Sequence, residues 1–221
     1  MNDPTNSTPP RPIERYTANE RTNHWLVAIA FVLTALSGLA MFHPALYWLS
    51  GLLGGGTWTR ILHPFIGLFM ALAFAFLAAA MWTFNKMQPR DWQWLRQGRD
   101  VVSNREERLP EVGRYNGGQK LLFFILVACV IGLLLSGIVI WRQYFSVYFP
   151  VGVIRLAAFV HALCAFLLIC AIVIHIYAAL WVKGSVGAMT RGTVTPGWAW
   201  KHHRAWFREK LHATNTRPRS D

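Results

Sequence analysis

Residues 151–182 read VGVIRLAAFVHALCAFLLICAIVIHIYAALWV, thirty-two positions with one charged side chain, Arg155, and two histidines, His161 and His175. About 20 helical residues cross a hydrocarbon core of about 30 Å, so this stretch crosses it with length to spare. Arg155 lies within the first turn or two, where its long side chain reaches the membrane surface. Fourteen residues of helix separate the histidines by roughly 21 Å along the axis and about 40° around it. One helix therefore presents two imidazoles on one stripe, one towards each leaflet.

Three further segments match this one in character. Spans are expected at about 22–43, 60–84, 118–141 and 151–183, each an apolar block edged with aromatic residues. The composition agrees, since 54% of the chain is hydrophobic and only 14% charged, against roughly 25% charged in soluble domains. Nineteen of the 22 Lys and Arg residues fall in the N-terminal arm, the loop between the second and third spans, and the C-terminal tail. The other three, Arg60, Arg142 and Arg155, fall on the opposite side. By the positive-inside rule both termini and the central loop are cytoplasmic. The net charge of +12 is thus a topology signal and requires no nucleic acid. The polar, Pro-rich start has no signal-peptide shape. Residues 1–14 read as a disordered arm, 15–211 as one transmembrane domain, and 212–221 as a disordered tail.

Ionisable residues within spans are unfavourable and mark function. With the first helix running outward and the second and fourth inward, His24 and His175 share the cytoplasmic level, and His63 and His161 the outer one. Two imidazole pairs stacked through a helix bundle suit axial ligation of two haem irons. No C-x-x-C-H motif is present, so the haems would be b-type, held by coordination alone. The fold class expected is an all-α membrane protein, a four-transmembrane-helix bundle enclosing two b-type haems. Any one histidine alone could instead be a hydrogen-bonded interior residue. His43 competes for the outer level but precedes Pro44, where a helix should end. His202, His203 and His212 lie in a Trp-rich basic tail that reads as an interfacial amphipathic stretch. Cys129, Cys164 and Cys170 read as small apolar residues. Ser37-Gly38 and Ser136-Gly137 let a macrocycle or another helix approach the backbone closely.

Several ordered motifs carry a resemblance. They are NHW around His24, TRILHPF at 59–65, GRYNGGQK at 113–120, WRQYFSVYFP at 141–150, IHIYAALWVKGS at 174–185 and WAWKHHRAWFREK in the tail. Together they resemble the cytochrome b (gamma) subunit of respiratory membrane-bound formate dehydrogenase, from about Arg15 to Lys210. The resemblance implies haem ligand pairs His63/His161 (outer) and His24/His175 (inner). It also implies a quinone site, for menaquinone or ubiquinone, at Asn116, Gly118 and Gln119 with His175 nearby. On the residues alone, YNGGQK reads better as a polar turn that starts a helix than as a quinone site. The implied partners are an iron–sulfur (beta) subunit and a molybdenum- or tungsten-containing catalytic (alpha) subunit in a bacterial inner membrane, with higher oligomers of the complex allowed. Formate oxidation would belong to the partner, since no catalytic residue for it is visible in this chain. Two alternatives stay open: a dihaem cytochrome b serving a nickel–iron hydrogenase or thiosulfate reductase, and a haem-free transporter or scaffold.

Overall fold

The computed structural model describes residues 11–103 and 105–215. Expectations for residues 1–10 and 216–221 lie outside the described residues. Four long apolar helices dominate: α1 (Ala18–Phe42), α2 (Gly56–Met81), α5 (Gly117–Ile140) and α6 (Val151–Trp181), each long and apolar enough to cross a membrane. Between and after them lie the short helices α3 (Pro89–Arg96), α4 (Gly98–Val102), α7 (Ser185–Arg191), α8 (Pro196–His202) and α9 (Arg204–Asn215). Two-residue strands β1 (Ile13–Glu14) and β2 (Thr193–Val194) pair antiparallel. The described residues form two compact units.

The first unit, Asn19–Trp82 and Leu122–Ala178, contains the four spans. Buried Ala71, Cys129, Val130 and Leu168 form its centre, with Phe31 and Phe74 packed against them. Leu168 is midway between His161 and His175 on α6, so an apolar layer separates the two histidine levels. Small residues bring helices close: a Cβ on Gly132 of α5 would lie 2.6 Å from Cys164 Sγ of α6. Asn23 Nδ2 donates to the Ala73 carbonyl at 3.2 Å and joins α1 to α2. Outward faces remain apolar, with Phe76 and Phe159 74% and 65% exposed, as lipid-facing surfaces require. Aromatic clusters mark both ends. Trp141 lies edge-on to Phe65 and Tyr144 at 5.2 and 5.1 Å, and Trp82 edge-on to Phe123 and Phe124 at 5.9 and 6.0 Å. Such belts belong at membrane–water interfaces.

The other unit collects the described residues of Met1–Ala18, Thr83–Leu121 and Ala179–Asp221. It corrects the expected termini. Ile13 pairs with Val194 and Glu14 with Thr193, so the strand lies where the arm was read as disordered. At the other end α9 runs on to Asn215, past the expected boundary at 211. The apolar partners that order both segments, Ile13, Tyr16, Val194, Ala199 and Trp206, come from opposite ends of the chain. Local pattern could not reveal them.

Arg15, read as one of the orienting charges, is buried within this unit. Its guanidinium stands 4.5 Å from the Trp206 ring centre and 5.7 Å from those of Trp198 and Tyr115. It donates to the Arg114 carbonyl, while Arg114 Nη2 donates back to the Arg15 carbonyl at 3.1 Å. His203 Nδ1 donates to the Gly113 carbonyl at 2.9 Å, which leaves its Nε2 to accept from Arg15 Nη2 at 3.3 Å. A guanidinium only donates, so this arrangement needs a neutral imidazole. Burial, with the Arg15 charge adding to it, pushes the His203 pKa from 6.5 down to about 3.

The sign of the pH effect follows. Above 6.5 both folded and unfolded states hold a neutral His203. As pH falls from 6.5 towards about 3 only the unfolded state takes up the proton, and stability drops by about 1.4 kcal/mol per unit. Thermal unfolding of the purified protein across this range should show that component, and His203→Gln should lack it. Parallel pH profiles for the two proteins would refute the assignment.

Candidate cofactor-binding site

Four of the histidines meet in two pairs. His63 of α2 and His161 of α6 have ring centres 6.3 Å apart, with planes at 68°. His24 of α1 and His175 of α6 have ring centres 6.3 Å apart, with planes at 52°. These are the pairings expected from helix direction, and α6 contributes one ring to each.

The His63–His161 pair is held by a device that recurs. Ser37 Oγ of α1 lies 2.8 Å from His63 Nδ1 and donates to the Thr34 carbonyl at 2.9 Å. Ser136 Oγ of α5 lies 3.1 Å from His161 Nδ1 and donates to the Gly132 carbonyl at 2.5 Å. Beside each serine stands the glycine expected to allow close approach. A Cβ on Gly38 would sit 3.3 Å from His63 Cε1, and one on Gly137 3.3 Å from His161 Cε1. What these glycines admit is the edge of an imidazole. The serine hydroxyls went unread in the sequence. The available signal was the repeat itself, a Ser-Gly followed by His 26 residues after Ser37 and 25 after Ser136.

The remaining histidines have other roles. His43 is exposed and caps the 3-10 turn over Pro44–Leu53, its Nδ1 accepting from Ala45 N–H at 3.2 Å. It is the loop residue its position before Pro44 implied. His203 is the buried partner of Arg15 described above. Among the described residues no group of three or more His, Cys, Asp or Glu side chains could hold a metal ion.

Asn116, Gly118 and Gln119 stand at the start of α5. Asn116 Oδ1 accepts from Gln119 N–H at 2.9 Å and Gln119 Oε1 accepts from Asn116 N–H at 3.0 Å, a reciprocal cap. Both amide oxygens are thus engaged by backbone, and each amide nitrogen keeps donor capacity. Gly118 is small because a Cβ would lie 2.9 Å from the Trp94 ring of α3.

The profile of the family described as prokaryotic cytochrome b561 matches residues 15–192. The chain belongs to the prokaryotic cytochrome b561 family. Its relatives are consistent with one another. It is 44% identical over 202 residues to the formate dehydrogenase cytochrome b556(fdo) subunit of Escherichia coli strain K12, covering 91% of this chain and 95% of that one. It is 41% identical over 199 residues to the formate dehydrogenase cytochrome b556 subunit of Haemophilus influenzae, covering 90% and 84%. To the nitrate-inducible formate dehydrogenase cytochrome b556(Fdn) subunit of E. coli K12 it is 42% identical over 190 residues, covering 86% and 88%. The resemblance read from the motifs is borne out. As a cytochrome b561-family protein with four apolar helices, the chain is a multi-pass membrane protein of electron transfer, and the family implies b-type haem.

The imidazole pairs of this cytochrome fit that group. Metal–imidazole nitrogen bonds of roughly 2 Å on both sides of one ion put the ring centres on the order of 6 Å apart. Both pairs have that separation. Among the described residues, His24 Nδ1 is buried without a hydrogen-bond partner, so packing alone does not account for the ring.

Proposed function

We propose that this cytochrome is the membrane electron-transfer subunit of a formate:quinone oxidoreductase, with two b haems between a periplasmic donor and a cytoplasmic-side quinone. The observation that carries it is the pair of imidazole couples with equal ring separation, sharing α6. His63 and His161 hold the outer iron, His24 and His175 the inner one. When bound, each haem iron takes up and releases one electron between its ferric and ferrous states. The imidazoles must be neutral to ligate, so none of the four serves as an acid or base while metallated. Through α6 the two ligand levels keep a spacing of roughly 21 Å. The apolar layer around Ala71, Cys129 and Leu168 excludes water and ions between them.

Near the cytoplasmic face, the Asn116 and Gln119 amide groups donate to quinone carbonyl oxygens, which only accept. Gly118 keeps that turn slim. The quinone is menaquinone or ubiquinone. Reducing it on this side takes up cytoplasmic protons, so inward electron movement builds membrane potential. The nineteen positive charges on one side support a bacterial inner-membrane location with both termini cytoplasmic. The exposed aromatic residues Trp48, Tyr144 and Tyr148 on the outer connections suit docking of an iron–sulfur subunit, which receives electrons from a molybdenum- or tungsten-containing catalytic subunit. The names of the relatives support formate as the donor.

Purification of the complex from its native membrane tests this. Two b haems per chain in the reduced-minus-oxidised spectrum, reduced by formate and reoxidised by added quinone, are expected. A spectrum without b-type bands, or a nickel–iron partner in place of a formate-oxidising one, would overturn it.

A further inference from the structure

We infer that Ser37 and Ser136 are positioning residues that fix the proton on the outer imidazole pair and set the electron affinity of the iron between them. The inference rests on the assignment of His63 and His161 as ligands of one iron. Each serine has one hydroxyl proton, and the neighbours that could take it are backbone carbonyls and an imidazole nitrogen; Ser136 has a second, more distant carbonyl, that of Leu133 at 3.4 Å. Ser37 Oγ is 2.9 Å from the Thr34 oxygen and 2.8 Å from His63 Nδ1; Ser136 Oγ is 2.5 Å from the Gly132 oxygen and 3.1 Å from His161 Nδ1.

A carbonyl oxygen can only accept. Were the hydroxyl proton given to the imidazole, two oxygens would face each other at 2.5–2.9 Å with no proton between them. The proton therefore goes to the carbonyl, and the serine oxygen accepts from Nδ1–H. Both outer rings then carry their proton on Nδ1 and offer a bare Nε2 lone pair. Ser37 and Ser136 are 1% and 6% exposed, so water does not compete for these bonds. The neighbouring glycines let the ring edge rest against the helix backbone, which holds the orientation as well as the tautomer.

At the other level the arrangement differs. His24 Nδ1 is buried and has no hydrogen-bond partner among the described residues. A hydrogen bond from the distal N–H raises the donor strength of a ligating imidazole. The outer pair is thus the more electron-rich and favours the ferric state of its iron, and the serines are one source of the difference between the levels.

The test is a potentiometric titration of the full-length, haem-loaded protein, followed in its visible bands and by paramagnetic resonance of the ferric state. His161→Ala first identifies the outer wave by its loss. Ser37→Ala and Ser136→Ala should each keep both haems. At the wild-type midpoint each should raise the ferrous-to-ferric ratio of the outer haem severalfold, where tenfold corresponds to about 59 mV for one electron. The inner wave should stay in place. Ser136→Thr, which keeps the hydroxyl, should return the outer wave towards its wild-type position. An outer wave unmoved by either Ala variant, or an equal shift of both waves, overturns the role of the serines. If His161→Ala retains both haems, the ligand assignment fails and this inference fails with it.

Discussion

Replacing His161 with Ala should remove one of the two proposed b haems and abolish electron passage from formate to quinone, while the remaining haem should still be reduced by added quinol. Replacing His175 with Ala should give the mirror result: formate should still reduce the surviving haem, but quinone should no longer be reduced. Both outcomes follow from α6 supplying one ring to each pair. In each case the opposite ring, His63 or His24, keeps its place, because α1 and α2 are joined through Asn23 and Ala73 independently of α6. With a single imidazole left, the iron would lack one of its two protein ligands, and a haem held by coordination alone would then be lost on purification. Free imidazole, small enough for the space left by the deleted ring, should restore part of the haem in either variant. Haem content by pyridine haemochrome and rapid reduction from each side check the prediction. Equal loss of both haems in both variants would mean that the histidines hold the bundle together and do not divide the ligands by level.

The parts of this molecule that were legible in its sequence share one property: their signal is local or is carried by helix direction. The four spans appear as uninterrupted apolar blocks; the polar first turns of two were missed, and the second was expected to run to 84 where its α-helix ends at Met81. α1 starts at Ala18 and α2 at Gly56, four residues before the expected 22 and 60, because ANER and GTWTR carry no apolar period. The histidine pairs were legible because a membrane reduces the search to depth, and depth follows from residue count. What stayed hidden depends on partners far along the chain. Arg15 meets the Arg114 carbonyl 99 residues away and His203 188 residues away. The positive charges of Arg15 and Lys120 counted towards topology when read singly, yet both side chains are buried. The serine bonds to His63 and His161 join positions 26 and 25 residues apart, across a hairpin, where a motif scan sees no pattern until the repeat is compared with itself.

Lys120→Met should cost about 3–5 kcal/mol, the range for removing one partner of a buried ion pair. Lys120 Nζ lies 2.7 Å from Asp91 Oδ2 and donates to the Lys86 carbonyl at 3.0 Å; the two side chains are 5% and 1% exposed. Asp91 Oδ2 also accepts the Gln88 N–H at 2.7 Å, which caps α3. A lysine in the first turn of a helix opposes the helix dipole, so Lys120 does not serve α5 as an isolated helix. Its contribution is to hold the start of α5 against the start of α3, where a Cβ on Gly117 would meet the Asp91 carbonyl oxygen at 2.5 Å. Without Lys120, the buried Asp91 carboxylate keeps the Gln88 N–H as its partner and loses its counter-charge. Asp91→Asn should be as damaging, because it strands an ammonium instead. The double variant Asp91→Asn/Lys120→Met, with neither charge, should be less destabilised than the two single losses combined. Local opening of this junction frees the first turn of α5, which carries the Asn116–Gln119 cap. Hydrogen exchange should therefore rise at 116–120 in Lys120→Met, and quinone reduction should fall before either haem is lost. A Lys120→Met protein with wild-type unfolding and exchange would show that the pair only fills space; haem loss preceding the exchange change would place its influence in the bundle instead.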